Sequence, residues 1–214
     1  MPPVMQELKT TSLRESVADA IRRTLLEGQI PHGERISDSE IASQLKVSRG
    51  IVREALLVLS QEGLVNHSRN QGFSVLEVTE QDQRQIEQVR LSMEGLALNL
   101  ARERVSAQDL ELLEKLKEEV VAAFNPGDFR NLVHRDLEFH ATLWEQSGNP
   151  WLVQALKRIM VPYFAYAMAF KMRQPDLTEE LLRRRHDIYL DYLKGQCQKS
   201  AEDCVRFHIG IITP

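Results

Sequence analysis

The chain has 214 residues, 43 % hydrophobic and 27 % charged, with a formal net charge of -4. This is an ordinary balance for one large or two modest globular domains. No run of about 18 apolar residues occurs and the N-terminus lacks the charged-then-apolar order of a secretory signal, which argues against a membrane span and for a cytoplasmic protein. Bulk charge announces no nucleic-acid binder either, since residues 1–78 hold 9 basic and 10 acidic side chains.

In chain order, Leu13, Val17, Ile21 and Leu25 form an i, i+4 apolar ladder that predicts a first helix ending near Gly28. Residues 36 to 65 then read as two short amphipathic helices joined by a tight turn. Ser37 is an N-cap candidate for a helix burying Ile41 and Leu45; Lys46-Val47 leads to Ser48, the N-cap candidate of the next. Val52, Ala55, Leu56 and Leu59 form the inner stripe of that second helix, while Arg49 and Arg53 lie one turn apart on another face. This is the outline of a helix-turn-helix, and arginine is the side chain best shaped for bidentate contact with guanine. Leu64-Val65-Asn66 and Gly72 to Leu76 read as two short strands. The polar tip between them, His67 to Gln71, offers donors to a phosphate or minor-groove edge, and Gly72 lets a backbone approach closely. A winged helix-turn-helix over residues 8–78 is expected.

After Val78 strand signals vanish, and residues 79–214 divide into about six helices forming an all-α bundle. The first runs from Thr79 to Arg104 with Ile86, Val89, Met93, Leu96, Ala97 and Leu100 as its stripe. Ser106 with Asp109 is a capping box for the second, which runs to Phe124 before an Asn125-Pro126-Gly127-Asp128 turn. The third runs to about Gln146, the fourth starts at Pro150 with a kink expected at Pro162, and Gln174-Pro175-Asp176 breaks again. The fifth reaches Gly195 and the sixth begins near Ser200. Cys197 and Cys204, read as lying in one helix, would be about 10 Å apart along its axis and unable to form a disulfide.

Asp136 and His140, four apart, project from one face of the third helix, while His186 and His208 lie on later helices. One carboxylate and three imidazoles suit zinc, nickel, iron or manganese. The Asp/His spacing alone also fits a surface or capping pair. His134 points elsewhere and is expected in solvent; Tyr163-Phe164-Ala165-Tyr166 reads as core, and Arg183-Arg184-Arg185 as a solvated face.

Residues 8 to 76 resemble the winged-helix domain of GntR-type bacterial transcription regulators, through PHGERISDSEIASQLKVSRGIVREALLVLSQEGLV and the trailing GFSV. The resemblance implies that Arg35, Arg49 and Arg53 contact double-stranded operator DNA, with Ser48 and Gly72 in support; Gln71 joins them as a wing donor. Many relatives carry Thr-Pro where this chain has Gly50-Ile51, a departure that removes one hydroxyl contact and implies a shifted operator preference. Residues 84 to 212 resemble the FCD domain of the FadR subfamily, in its VanR-like branch, through VRLSMEGLALNLA, DLEFHATLWEQSGNPWL and HDIYLDYLKGQCQKSAEDCVRFHI. That resemblance implies a divalent metal, zinc first, held by Asp136, His140, His186 and His208. Arg90, in an Arg-x-x-x-Glu pattern with Glu94, is either a buried guanidinium that binds a carboxylate effector near the metal or half of an intrahelical surface salt bridge.

The expected protein is a homodimeric, ligand-responsive transcription regulator, a repressor released by a small carboxylate, with no membrane partner and no enzymatic activity. Two rivals are a metal-dependent hydrolase or isomerase with an appended nucleic-acid module and a DNA-binding scaffold with an empty bundle. The first would require a general base beside the metal, and no HExxH, nucleophile elbow or phosphate-cradling glycine loop occurs.

Overall fold

In a computed structural model, residues 13–125, 130–170 and 177–210 are described. The first part comprises α1 (Leu13–Leu26), β1 (Arg35–Ile36), α2 (Asp38–Leu45), α3 (Arg49–Gln61), β2 (Val65–Ser68) and β3 (Gly72–Val75). The strands form an antiparallel sheet in the order β1-β3-β2, with Arg35 opposite Ser74 and His67 opposite Phe73. Val17, Ile21, Leu25, Val52, Leu56, Leu59, Phe73 and Val75 close a single small core beneath it. The Arg22 guanidinium of α1 donates to both Glu62 carboxylate oxygens at the end of α3, Nε at 2.9 Å and Nη2 at 2.7 Å, and so clamps the two helices.

Ser37 and Ser48 cap α2 and α3, each side chain accepting from a backbone N–H in the first turn. Ala42 is the buried residue of α2, with Ile41 half-buried, whereas Leu45 is 39 % exposed. Leu45 therefore does not face the core as its spacing suggests, because an eight-residue helix ended by a left-handed Lys46 turns its last apolar residue outward. Lys46 has φ 54°, the one non-glycine residue with positive φ among those described.

The second part comprises α4 (Glu80–Arg102), α5 (Ala107–Ala122), α6 (Arg130–Glu145), α7 (Pro150–Phe170), α8 (Glu179–Leu193) and α9 (Ala201–His208). α4 packs against α6, α7, α8 and α9, and α5 against α6 and α8. The bundle core includes Leu98, Leu113, Leu132, Phe139, Leu143, Trp144, Leu156, Met160, Tyr189 and Leu190. Thr79 with Asp82 and Ser106 with Asp109 form reciprocal capping boxes at the starts of α4 and α5. α7 continues past position 162 without a break. The Pro126-Gly127-Asp128 part of the first expected turn and the Gln174-Pro175-Asp176 break lie outside the described residues.

Two further expectations from spacing are corrected. The interior face of α4 carries Arg90, Glu94, Ala97, Leu98 and Ala101, while Val89 and Leu96 are 42 % and 47 % exposed. Opposite charges four apart satisfy each other inside the bundle, which displaces the apolar stripe from the core. Cys197 and Cys204 do not share a helix, because α8 ends at Leu193 and Gly195 turns the chain with φ +73°. Their sulfur atoms are 3.8 Å apart, so the helical rise does not separate them.

A side chain in the left-handed region costs about 1–2 kcal/mol, and glycine gives back part of that through its greater freedom in the unfolded chain. Lys46→Gly should accordingly stabilise the winged helix by about 0.5–1 kcal/mol, read as a higher urea midpoint; a lower midpoint would show that the lysine stem contributes more than the strain.

Candidate metal centre and nucleic-acid interface

On the recognition face, Arg49 and Arg53 project from α3 with side chains 65 % and 51 % exposed. Both are gripped by one carboxylate on α2: Arg49 Nη2 donates to Asp38 Oδ1 at 2.9 Å and Arg53 Nη1 to Oδ2 at 2.8 Å. The hydrogen bond from Arg53, with that from Arg49, overcomes burial and holds the Asp38 carboxyl below the usual carboxylate range. Arg53 also lies over the Phe73 ring, 5.6 Å from its centroid, which ties the helix to the wing. Asp38 escapes sequence reading because an acid in the first turn of a helix reads as a partner of the helix dipole. The Ser48 hydroxyl is engaged in capping, accepting from Ile51 N–H at 3.4 Å.

Arg35, Gln71 and Gly72 come together with Asn66, His67 and Ser74 around a groove of about 330 Å³. Gly72 has φ +77° and nothing within 4 Å of where a Cβ would stand, so its backbone conformation needs glycine while the space above it is open. His67 stacks on Phe73 with centroids 4.5 Å apart, which fixes the base of the wing rather than its tip.

In the bundle, α6 supplies Asp136 and His140, α8 supplies His186 and α9 supplies His208; all four are buried. One ligand atom from each lies within 4.8 Å of the others. Their outer contacts orient them. His186 Nδ1 is 2.8 Å from the Leu182 carbonyl and His208 Nδ1 is 2.7 Å from the Arg185 carbonyl. A carbonyl only accepts, so each Nδ1 carries a proton and each Nε2 is turned inward. There His186 Nε2 meets Asp136 Oδ1 at 2.8 Å and His208 Nε2 meets His140 Nε2 at 3.0 Å. Contacts this short need a proton or a metal cation between the facing atoms, and this donor set fits a divalent ion. Burial pushes the Asp136 carboxyl up, but the hydrogen bond with His186 and the charges of His140, His186 and Arg90 outweigh it and hold the group below its ordinary range.

Glu94 sits behind this cluster. Its carboxylate accepts from Arg90 Nε at 2.8 Å, Tyr189 Oη at 3.1 Å and Trp144 Nε1 at 3.1 Å, and it lies 3.4 Å from His140 Nδ1. Burial pushes it up, yet Arg90 and His140 pull it down to about 2. The Arg90–Glu94 pair therefore exists, but in the interior rather than on the surface. Arg90 lies 5.4 and 5.8 Å from the Tyr163 and Phe164 ring centroids, and its buried Nη2 has no hydrogen-bond partner. Sequence reading placed Glu94 only as a salt-bridge partner; its role behind a histidine depends on the angle between α4 and α6, which no local pattern encodes. His134 is exposed, as expected.

A winged helix joined to a bundle of helices with a buried ligand set is the build of a DNA-binding regulator with a sensing domain. The chain belongs to the GntR family: residues 13–75 match bacterial regulatory proteins of the gntR family and residues 85–210 match the FCD domain. It is 33 % identical over 190 residues to the Nta operon transcriptional regulator of Aminobacter aminovorans, covering 85 % of this chain and 89 % of that protein. It is 29 % identical to the HTH-type transcriptional regulator McbR of Escherichia coli, over 95 % of this chain and 92 % of McbR. The solved structure of E. coli McbR/YncC superposes with a TM-score of 0.74 at 26 % identity, covering 94 % of this chain and 97 % of that one. Proteins of this family are transcription regulators that bind DNA. Among the described residues no helix is long and apolar enough to cross a membrane.

Burial, reinforced by His140, His186 and Arg90, holds the His208 imidazole well below the ordinary histidine value of 6.5. Between that depressed value and 6.5 the unfolded chain binds a proton that the folded chain refuses, so stability is lost as pH falls through this window. Chelator-stripped protein should melt at a lower temperature at about pH 5.5 than at about pH 7.5, and His208→Gln should flatten the difference; equal slopes would contradict a neutral His208.

Proposed function

We propose that this chain is a homodimeric, cytoplasmic repressor that releases its operator when a small carboxylate binds beside a divalent metal in the bundle. The observation that carries this reading is the convergence of Asp136, His140, His186 and His208, with both outer histidine nitrogens already committed to backbone carbonyls. These four residues would hold the ion, zinc first with nickel, iron or manganese as alternatives. The metal would supply a Lewis-acidic position for a ligand oxygen. Arg90, with one buried N–H without a partner, would clamp the carboxylate, and Glu94 keeps that guanidinium charged and in place.

Two features support a route from ligand to DNA. Arg90 and Glu94 lie on α4, whose N-cap Thr79 follows the winged helix closely: Leu76 still donates to the Leu64 carbonyl, and its own carbonyl meets His32. Glu77 and Val78 thus form a very short link, through which a shift of α4 would change the spacing of two recognition helices. The exposed Val89 and Leu96 of α4, with the half-buried Met93 and Leu100, recur at alternating four- and three-residue steps and suit a helical seam with a second copy.

Arg49→Ala and Arg53→Ala should each weaken operator binding at least about tenfold, the scale of one lost bidentate contact, in a mobility-shift titration at fixed salt. Binding that stays at wild-type strength would remove them as contacts. Elemental analysis should find bound metal in the wild type and little in His140→Ala or His208→Ala, and a panel of small carboxylates should raise the melting temperature of metal-loaded protein only. Equal metal in both variants would refute the ligand set, whereas carboxylate shifts that survive chelation would separate the effector from the metal.

A further inference from the structure

The two cysteines of the sequence meet where α8 hands the chain to α9. Cys197 is half-buried in the connection and Cys204 is buried in the first turn of α9. Each backbone is anchored: Cys197 N–H donates to the Asp191 carbonyl at 3.1 Å and Cys204 N–H to the Ser200 carbonyl at 3.0 Å. The sulfur atoms nonetheless face each other at 3.8 Å, van der Waals contact, so a bond of about 2.05 Å requires them to approach by about 1.8 Å.

We propose that Cys197 and Cys204 form a reversible dithiol–disulfide site, oxidised by a hydroperoxide, that resets the first turn of α9. The Cys197 thiolate, the more accessible of the two, attacks the terminal peroxide oxygen; the O–O bond breaks, an alcohol or water leaves, and Cys197 becomes a sulfenic acid. The Cys204 sulfur then attacks the Cys197 sulfur. The S–S bond forms as the S–O bond breaks, and the hydroxyl leaves as water with the Cys204 proton. Two thiols thereby give two electrons and two hydrogens to one peroxide, and a thiol reductant restores them by exchange. Burial, and then the neighbouring Cys197, push the Cys204 thiol up to about 12, which leaves the more accessible Cys197 as the sulfur that meets the peroxide first.

Closing the bond draws the start of α9 toward the connection. That turn packs closely on α4, where Gly95 leaves room for it: a Cβ there would meet the Glu202 backbone nitrogen at 3.6 Å and its Cα at 3.7 Å. Movement there is transmitted both to α4 beside Glu94 and along the short helix whose last residue is His208.

The test treats the full chain with a small excess of hydrogen peroxide and follows free thiols, intact mass and amide hydrogen exchange. The expected result is a fall from two free thiols to none in a monomer-length chain two hydrogens lighter, reversed by dithiothreitol. Exchange should change in peptides covering 197–208 and not in those covering α3. Cys197→Ser should abolish all of these effects while melting close to wild type. Retention of both thiols, sulfur that gains oxygen without pairing, or cross-linking between chains would overturn the proposal, as would a disulfide that leaves exchange in α9 unchanged.

Discussion

A carboxylate and three imidazoles share the interior of the bundle, and in so apolar a place each unpaired polar atom costs far more than it would in water. Phe139, Trp144, Phe164 and Tyr189 pack around His140 with ring centroids between 5.5 and 5.8 Å away. The histidines cannot turn to solvent, so the phases of α6, α8 and α9 must let the four groups satisfy one another. Leu182 and Arg185 contribute through backbone carbonyls, which makes the orientation of two imidazoles a property of helix α8 itself. Glu94 extends the same network to α4, where it holds Arg90 against two aromatic rings. One polar cluster thereby links four of the six helices of the bundle.

The winged helix answers a different electrostatic problem. Its charge is nearly balanced, yet it must present cations to a polyanion. Asp38 gathers Arg49 and Arg53 on one carboxylate fork, leaving their guanidiniums exposed while fixing their spacing. The pairing also fixes both side chains ahead of any ligand, which would lower the entropy lost if they met bases or phosphates. Phe73 carries the arrangement into the sheet, stacking with His67 and meeting Arg53. Sequence-wide charge is thus a poor guide here, because an acid paired with two arginines also fixes where their guanidiniums stand.

Much of this was legible in the chain before its structure. Val17, Ile21 and Leu25 of the first ladder and the stripe Val52, Ala55, Leu56, Leu59 are buried, and the serine caps stand where the pattern puts them, because local periodicity and capping are short-range rules; Leu13, the first residue of α1, is instead 55 % exposed at the end of that helix face. The i, i+4 pair Asp136/His140 declared a shared face, though only tertiary packing brings His186 and His208 to it. Failures came where long-range forces prevailed. Val89 and Leu96 look like core residues and are not, since the buried Arg90–Glu94 pair claims the inner face. Cys197 looks helical and is not, since Gly195 reverses the chain. Asp38 and the backbone carbonyls behind the histidines carry no local signature, for their roles arise from how helices cross.

The proposed metal centre is tested most directly by X-ray absorption at the metal edge of the purified, metal-loaded protein. The expected spectrum shows imidazole scattering from three histidines and a carboxylate oxygen, with first-shell distances of about 2.0–2.2 Å for zinc. A sulfur shell near about 2.3 Å would place the ion on the cysteines instead, and a shell of water oxygens without imidazole would contradict a metal held by Asp136, His140, His186 and His208.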